Sequence, residues 1–236
     1  MVKLHIGTGG WDYFPLPTEH KLKAYSQLFD FVEVNSTFYF TPSKEVTEKW
    51  RSAVPPDFEF SFKCSRRISH EGDLWDEAGL SREVERMVEV GRALRAKVIL
   101  IETPPIGRSP LTSPSFEEAV DRFRRAGFLV AWECRSEVNE AVKEFMKSRG
   151  IIHSVDLTVA EPAYDSKVMY SRLFGKGQHT LYRLTESDFS QLKTRLERSK
   201  PREAYMVFHG VAMYAEAYRF KKRIERGLEG QAVAEL

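Results

Sequence analysis

Phe31-Val32-Glu33-Val34-Asn35-Ser36-Thr37-Phe38-Tyr39 reads as an apolar strand that runs out into acid and amide. Side chains alternate along a strand, so Glu33 and Asn35 share one face as the strand ends. Comparable endings recur in Phe58-Glu59-Phe60-Ser61-Phe62-Lys63, Val98-Ile99-Leu100-Ile101-Glu102 and Val130-Ala131-Trp132-Glu133-Cys134-Arg135. They recur again in Ile151-Ile152-His153-Ser154-Val155-Asp156 and Met169-Tyr170-Ser171-Arg172. Polar groups therefore collect at one end of successive strands.

Outward from that stretch, strands alternate with helical patterns. Strands are predicted at Lys3–Gly7, Phe31–Asn35, Phe58–Lys63, Lys97–Glu102, Phe128–Glu133, Ile151–Asp156, Val168–Leu173 and Glu203–His209. Helices are predicted at Glu19–Phe29, from Ser43 through Trp50, Ser81–Arg95, Ser115–Ala126, Ser136–Arg149, Thr185–Arg198 and Val211–Arg226. Ser43, Ser115, Ser136 and Thr185 stand where N-caps belong. Leu157–Lys167 carries Pro162 and little helical pattern, so the helix after strand six is expected to be truncated. Ser65–Gly79, with Arg66, Arg67, His70, Glu71, Asp73 and Trp75, reads as a long functional loop. Eight strands with crossover helices imply parallel pairing and favour one closed (β/α)8 TIM-type barrel over residues 1–236, with an open doubly wound sheet as the alternative.

Composition sets bounds on partners. The chain has 236 residues, is 42% hydrophobic and 30% charged, and carries a net charge of +2, too balanced to demand a nucleic-acid or membrane partner. No apolar run approaches the roughly 20 residues that span a bilayer, and the first residues read as a strand rather than a signal, so a cytoplasmic protein is expected. Scarce amides and abundant charge fit a heat-adapted source. Cys64 and Cys134 are expected to pack under the helix layer, without a disulfide.

Glu33, Lys63, Glu102, Glu133, Arg135, Asp156, Arg172 and His209 are too polar for a dry core, so at the barrel end they pair with one another, meet water or meet a ligand. Glu33, Glu133, Lys63 and Asp156 are the catalytic candidates, the carboxylates as acid or base and Lys63 as a phosphate partner or Schiff-base amine. Glu133 and Arg135 share a face, an arrangement that suits either an oriented catalytic carboxylate or a static pair. A divalent metal has candidate ligands in Glu33, Glu102, Glu133, Asp156 and His209. Anion recognition falls to Arg66, Arg67, His70, Arg108, Arg135, Arg172 and Gly175-Lys176-Gly177, with Asn35 as a polar contact. Trp11, Tyr39, Trp75 and Tyr164 are the stacking candidates.

Thr8-Gly9-Gly10-Trp11-Asp12-Tyr13, the Phe31–Tyr39 run, Lys63, His70, Pro104-Pro105 and Glu133-Cys134-Arg135 together resemble the YecE-like family, domain of unknown function family 72. The resemblance spans nearly the whole chain. It implies a TIM-type barrel and brings no established reaction. The residues themselves point to a hydrolase or phosphodiesterase acting at the barrel mouth on an anionic, phosphate-bearing substrate, either a small phosphorylated metabolite or nucleic acid. A non-catalytic nucleic-acid-binding module and a metal-dependent sugar isomerase or lyase are the alternatives.

Overall fold

The computed structural model describes residues 2–71, 77–105, 114–177 and 180–234. Its parallel strands are β1 (Lys3–Thr8), β2 (Phe31–Val34), β3 (Glu59–Lys63), β4 (Val98–Thr103), β5 (Leu129–Cys134), β6 (Ile152–His153), β7 (Val168–Leu173) and β8 (Glu203–Phe208). The helices are α1 (Lys21–Tyr25), α2 (Lys44–Ser52), α3 (Arg66–Ser69), α4 (Glu77–Leu94), α5 (Pro114–Arg125), α6 (Glu140–Ser148), α7 (Glu186–Ser199) and α8 (Met213–Ala234). Backbone ladders join β2-β3-β4-β5-β6 into one sheet and β1-β8-β7 into another. The two sheets close on each other as a TIM barrel. At one seam a parallel bridge pairs Val155 with Ser171, whose hydroxyl donates to Val155 O at 2.8 Å and accepts from Leu157 N at 3.2 Å.

At the other seam a side chain takes over from the ladder. The Tyr25 hydroxyl donates to Phe31 O (2.9 Å) on β2 and accepts from Thr8 N (3.0 Å) on β1. Gly7 permits the approach, because a Cβ there would lie 2.1 Å from Phe31 O.

Strand alternation divides the apolar residues between two cores. Phe31, Val98, Leu100, Ala131, Ile152, Tyr170, Tyr205 and Val207 fill the barrel interior. Outward residues such as Phe62, Trp132 and Phe208 pack under the helices with Met87, Phe123 and Phe220. Cys64 belongs to this outer layer and Cys134 packs against it, both as free thiols. Burial of Cys64 pushes its thiol up, away from reactivity.

Several element boundaries differ from the sequence reading. The expected 65–79 loop is partly helical, since Ser65 caps α3 by accepting from Arg67 N and α4 already begins at Glu77; Asp73 and Trp75 lie outside the described residues. The cap of α6 is Asn139, not Ser136, because the Asn139 side chain accepts from Val142 N at 3.1 Å. Pro114 opens α5 one residue before Ser115, at a position where its missing N–H costs nothing. The first helix is confined to Lys21–Tyr25, with turns leading on to Phe29, and α8 starts at Met213 rather than Val211. Thr185 does form a capping box with Asp188, and no helix separates β6 from β7. No helix among the described residues is long and apolar enough to cross a membrane.

The β1–β2 seam gives a direct test of the side-chain bridge. Tyr25→Phe leaves Phe31 O and Thr8 N without this partner and is expected to cost about 1–3 kcal/mol. A urea denaturation curve would show it as a lowered midpoint, and an unchanged midpoint would mean that the bridge is dispensable.

Candidate active site

Each of six polar residues of the mouth stands two positions beyond an inward-facing residue, so alternation delivers it to the barrel's carboxyl end. Glu33 follows Phe31, Lys63 follows Ser61, Glu102 follows Leu100, Glu133 follows Ala131, Arg172 follows Tyr170 and His209 follows Val207. Register then brings neighbouring strands level, with Glu102 opposite Glu133. Three carboxylates, Glu33, Glu102 and Glu133, meet three cations, Lys63, Arg135 and Arg172.

Arg172 is the centre. Its Nη1 contacts Glu133 Oε2 at 2.7 Å and Glu102 Oε2 at 3.0 Å, while its Nε lies 3.3 Å from Glu33 Oε1. Lys63 Nζ reaches Glu102 Oε2 at 2.8 Å, and Arg135 spans Glu102 (3.1 Å) and Glu133 (3.2 Å). Burial alone would lower the Arg172 pKa, but Glu33 and Glu133 outweigh it and carry the group upward. The guanidinium is a permanent cation.

Beneath it, Glu33 is sealed, with 0% of its surface exposed. Tyr170 donates to Glu33 Oε2 at 2.7 Å, so the 2.7 Å contact between Ser61 Oγ and the Tyr170 hydroxyl must have Ser61 as donor. Burial pushes the Glu33 carboxyl up, yet the Arg172 charge, with His209 and Tyr170, brings it down to about 2. The Arg172 Nε–H is directed to His209 Nε2 at 3.2 Å, and the same ring nitrogen lies 3.3 Å from Glu33 Oε1. Burial, then the Arg172 charge, lowers the His209 pKa, consistent with a neutral ring. Glu33 Oε1 is left as a buried acceptor without a hydrogen-bond donor, as is Asn35 Oδ1 at the end of the same strand.

The accessible part of the network lies above Arg172. Glu133 retains 16% of its side-chain surface and Arg135 38%. His70 closes α3, stands edge-on to Phe38 at 5.1 Å and meets Ser69 Oγ through Nδ1 at 2.9 Å. Burial lowers the His70 pKa; Glu102 opposes that shift, and Lys63, Arg135 and Arg66 reinforce it. Its imidazole is therefore neutral near pH 7. Lys63 is also lowered, by burial and by Arg172, against the pull of Glu102. Its ammonium sits 3.9 Å from the centre of the Phe38 ring. Arg66 and Arg67 are half-exposed on α3, Arg66 pairing with Glu71 at 2.9 Å.

Other expected site residues stand apart. Asp156 accepts from Thr158 N and its hydroxyl through one oxygen and from the Phe174 and Gly175 amides through the other. It ties the end of strand six to the end of β7, and it takes the loop amides expected to hold phosphate. Lys176 is held by Asp188 at 2.8 Å, at the start of α7. Trp11 packs edge-on against Trp50 of α2 at 5.3 Å, and Tyr164 lines a small cavity with His153 and Ser199, so neither is placed for stacking at the mouth. Arg108 lies outside the described residues.

The expected metal ligands are not gathered around a cation-sized space. The Arg172 guanidinium occupies the centre of Glu33, Glu102, Glu133 and His209, and Asp156 is engaged elsewhere. Among the described residues, the His/Asp/Glu/Cys group whose ligating atoms converge within 4.8 Å is His5, Glu59 and Glu203, at the amino end of the barrel. There Lys3 and Lys97 already neutralise both carboxylates.

Glu33 makes the network's stability pH-dependent. Its folded pKa of about 2 lies below the ordinary 4.5, so its contribution is complete above pH 4.5 and is lost as pH falls toward 2. Urea midpoints of the wild type are expected to fall more steeply across that window than those of Glu33→Gln. Parallel profiles would mean that Glu33 is not held as described.

Comparison with known proteins agrees with this architecture. A DUF72 protein of Enterococcus faecalis V583 superposes with a TM-score of 0.75 at 18% identity, covering 96% of this chain and 98% of that one. A DUF72 protein of Thermotoga maritima MSB8 gives a TM-score of 0.72 at 22% identity, covering 94% and 99%. The protein YecE of Escherichia coli K12 is 42% identical over 53 residues, which are 22% of this chain and only 20% of YecE. The family model described as "Protein of unknown function DUF72" matches residues 5–235, and the chain belongs to that family.

Proposed function

We propose that the chain is an enzyme that hydrolyses a phosphate ester at the carboxyl-end mouth of the barrel. The observation that carries this reading is a division of labour within one cluster. The buried charges balance one another, while above them Glu133, held by Arg172 through one oxygen and Arg135 through the other, stays partly exposed beside the half-exposed Arg135 guanidinium. Arg66 and Arg67 place two further guanidinium groups at the rim, half-exposed and paired with Glu71 and Glu83.

In this reading Glu133 takes a proton from the attacking water, whose oxygen bonds to phosphorus as the ester P–O bond breaks and the ester oxygen departs with its electron pair as an alkoxide or aryloxide. Arg135 and Arg66 neutralise the phosphoryl oxygens, and guanidinium groups suit that task because they present paired donors. The neutral His70 contributes a ring nitrogen to the substrate or to water. Glu33 is sealed away from any substrate, so its role is to hold Arg172 and, through it, Glu133.

Glu133→Gln tests the assignment with little change of shape, since Arg172 keeps Glu33 and Glu102. Hydrolysis of an aryl phosphodiester is expected to fall by about 100-fold or more, the scale of a lost general base, with the urea midpoint showing the protein still folded. Undiminished turnover in the folded variant would remove Glu133 from the reaction.

A further inference from the structure

Building on the phosphate-ester reading, we propose that the mouth takes single-stranded nucleic acid, with an unpaired base stacking on the aromatic step that follows β2. The step is formed by the short 3-10 turn Ser36–Phe38, which Asn35 precedes and Tyr39 closes. Phe38 and Tyr39 stand edge-on with centroids 5.0 Å apart, and Phe38 meets His70 at 5.1 Å. Below Phe38 is the Lys63 ammonium, so the rings run without a break from the ion network to solvent.

The outer end of this step is open. Tyr39 is 72% exposed and Phe40 55%. Large apolar side chains are seldom left to water in contiguous groups unless something covers them. The exposed apolar residues continue around the same end of the barrel, with Tyr13 and Leu16 after β1, Leu181 after β7 and Val211 after β8. A ligand that meets this rim has flat or apolar faces. The cations beside the step, Arg66 and Arg67 on α3 and Arg135 after β5, each pair with a carboxylate of the protein yet stay 38–53% exposed, and those exposed guanidinium edges favour a ligand that is also anionic.

Stacked bases on a phosphate backbone join those two properties in one molecule, and the spread of the rim over several loops suits a strand rather than a single nucleotide. A duplex is disfavoured because its base faces are already stacked on each other.

The test is fluorescence-anisotropy binding of a labelled oligothymidylate, an abasic deoxyribose-phosphate strand of equal length and a duplex, each across a salt series. Oligothymidylate is expected to bind more tightly than both others. Tyr39→Ala should weaken oligothymidylate binding by about 5- to 150-fold, the equivalent of ~1–3 kcal/mol for one base stack, with Tyr39→Phe retaining it. The abasic strand should be indifferent to Tyr39→Ala. Arg66→Ala/Arg67→Ala should weaken both strands and flatten their salt dependence. Equal affinity for the two single strands, preference for duplex, or indifference of oligothymidylate to Tyr39→Ala would overturn the inference. Turnover of a small phosphodiester without base-dependent binding would overturn it while leaving hydrolysis intact. Base-dependent binding without any turnover would support it and overturn the hydrolytic reading.

Discussion

A guanidinium enclosed by carboxylates at the end of a barrel is the constraint on which the rest depends. Removing charges from water is costly, and Arg172 is tolerated at 3% exposure because Glu33, Glu102 and Glu133 surround it. Those carboxylates come from β2, β4 and β5, whereas Arg172 comes from β7. The interaction therefore requires the closed barrel, and the closed barrel ends in that interaction. Within the buried floor, Lys63 and Arg172 match Glu33 and Glu102 in number, so it has little residual charge to offer a ligand. Recognition must fall to the rim.

Much of this was legible in the sequence because two periodicities are strong. The alternation of Phe31 with Glu33, or of Tyr170 with Arg172, encodes both the interior and the charged end, and the β/α repeat encodes the parallel closure. What was not legible is pairing between strands distant in sequence. Nothing local indicates that Asp156 will be taken by the amides of Phe174 and Gly175, or that Lys176 will be taken by Asp188. Trp11 misled for a related reason, since a residue following a strand can turn outward, and here it meets Trp50 of α2.

The difference between Glu33 and Glu133 was likewise invisible at the level of residue type. Both are glutamates one residue before their strands end, but Glu33 is enclosed by Tyr170, Arg172 and His209 at 0% exposure, whereas Glu133 keeps 16% of its side-chain surface beside the half-exposed Arg135. One became a buried anchor and the other an accessible carboxylate. The setting of His209 is a further product of three-dimensional context, made by Arg172 and Glu33 and not by the histidine's neighbours in the chain.

The barrel wall consists of two hydrogen-bonded sheets joined at two seams, by Tyr25 on one side and Ser171 on the other. The pairs between Arg172 on one sheet and Glu33, Glu102 and Glu133 on the other cross that division. The groups that shape the mouth are thus also fasteners of the wall. Natural variation that altered these charges would loosen the circumference of the barrel as well as change its chemistry, whereas variation in the loops after each strand would leave the wall intact. Divergence in ligand preference among barrels built this way should therefore be written in the rim, with the charged floor changing only as a set.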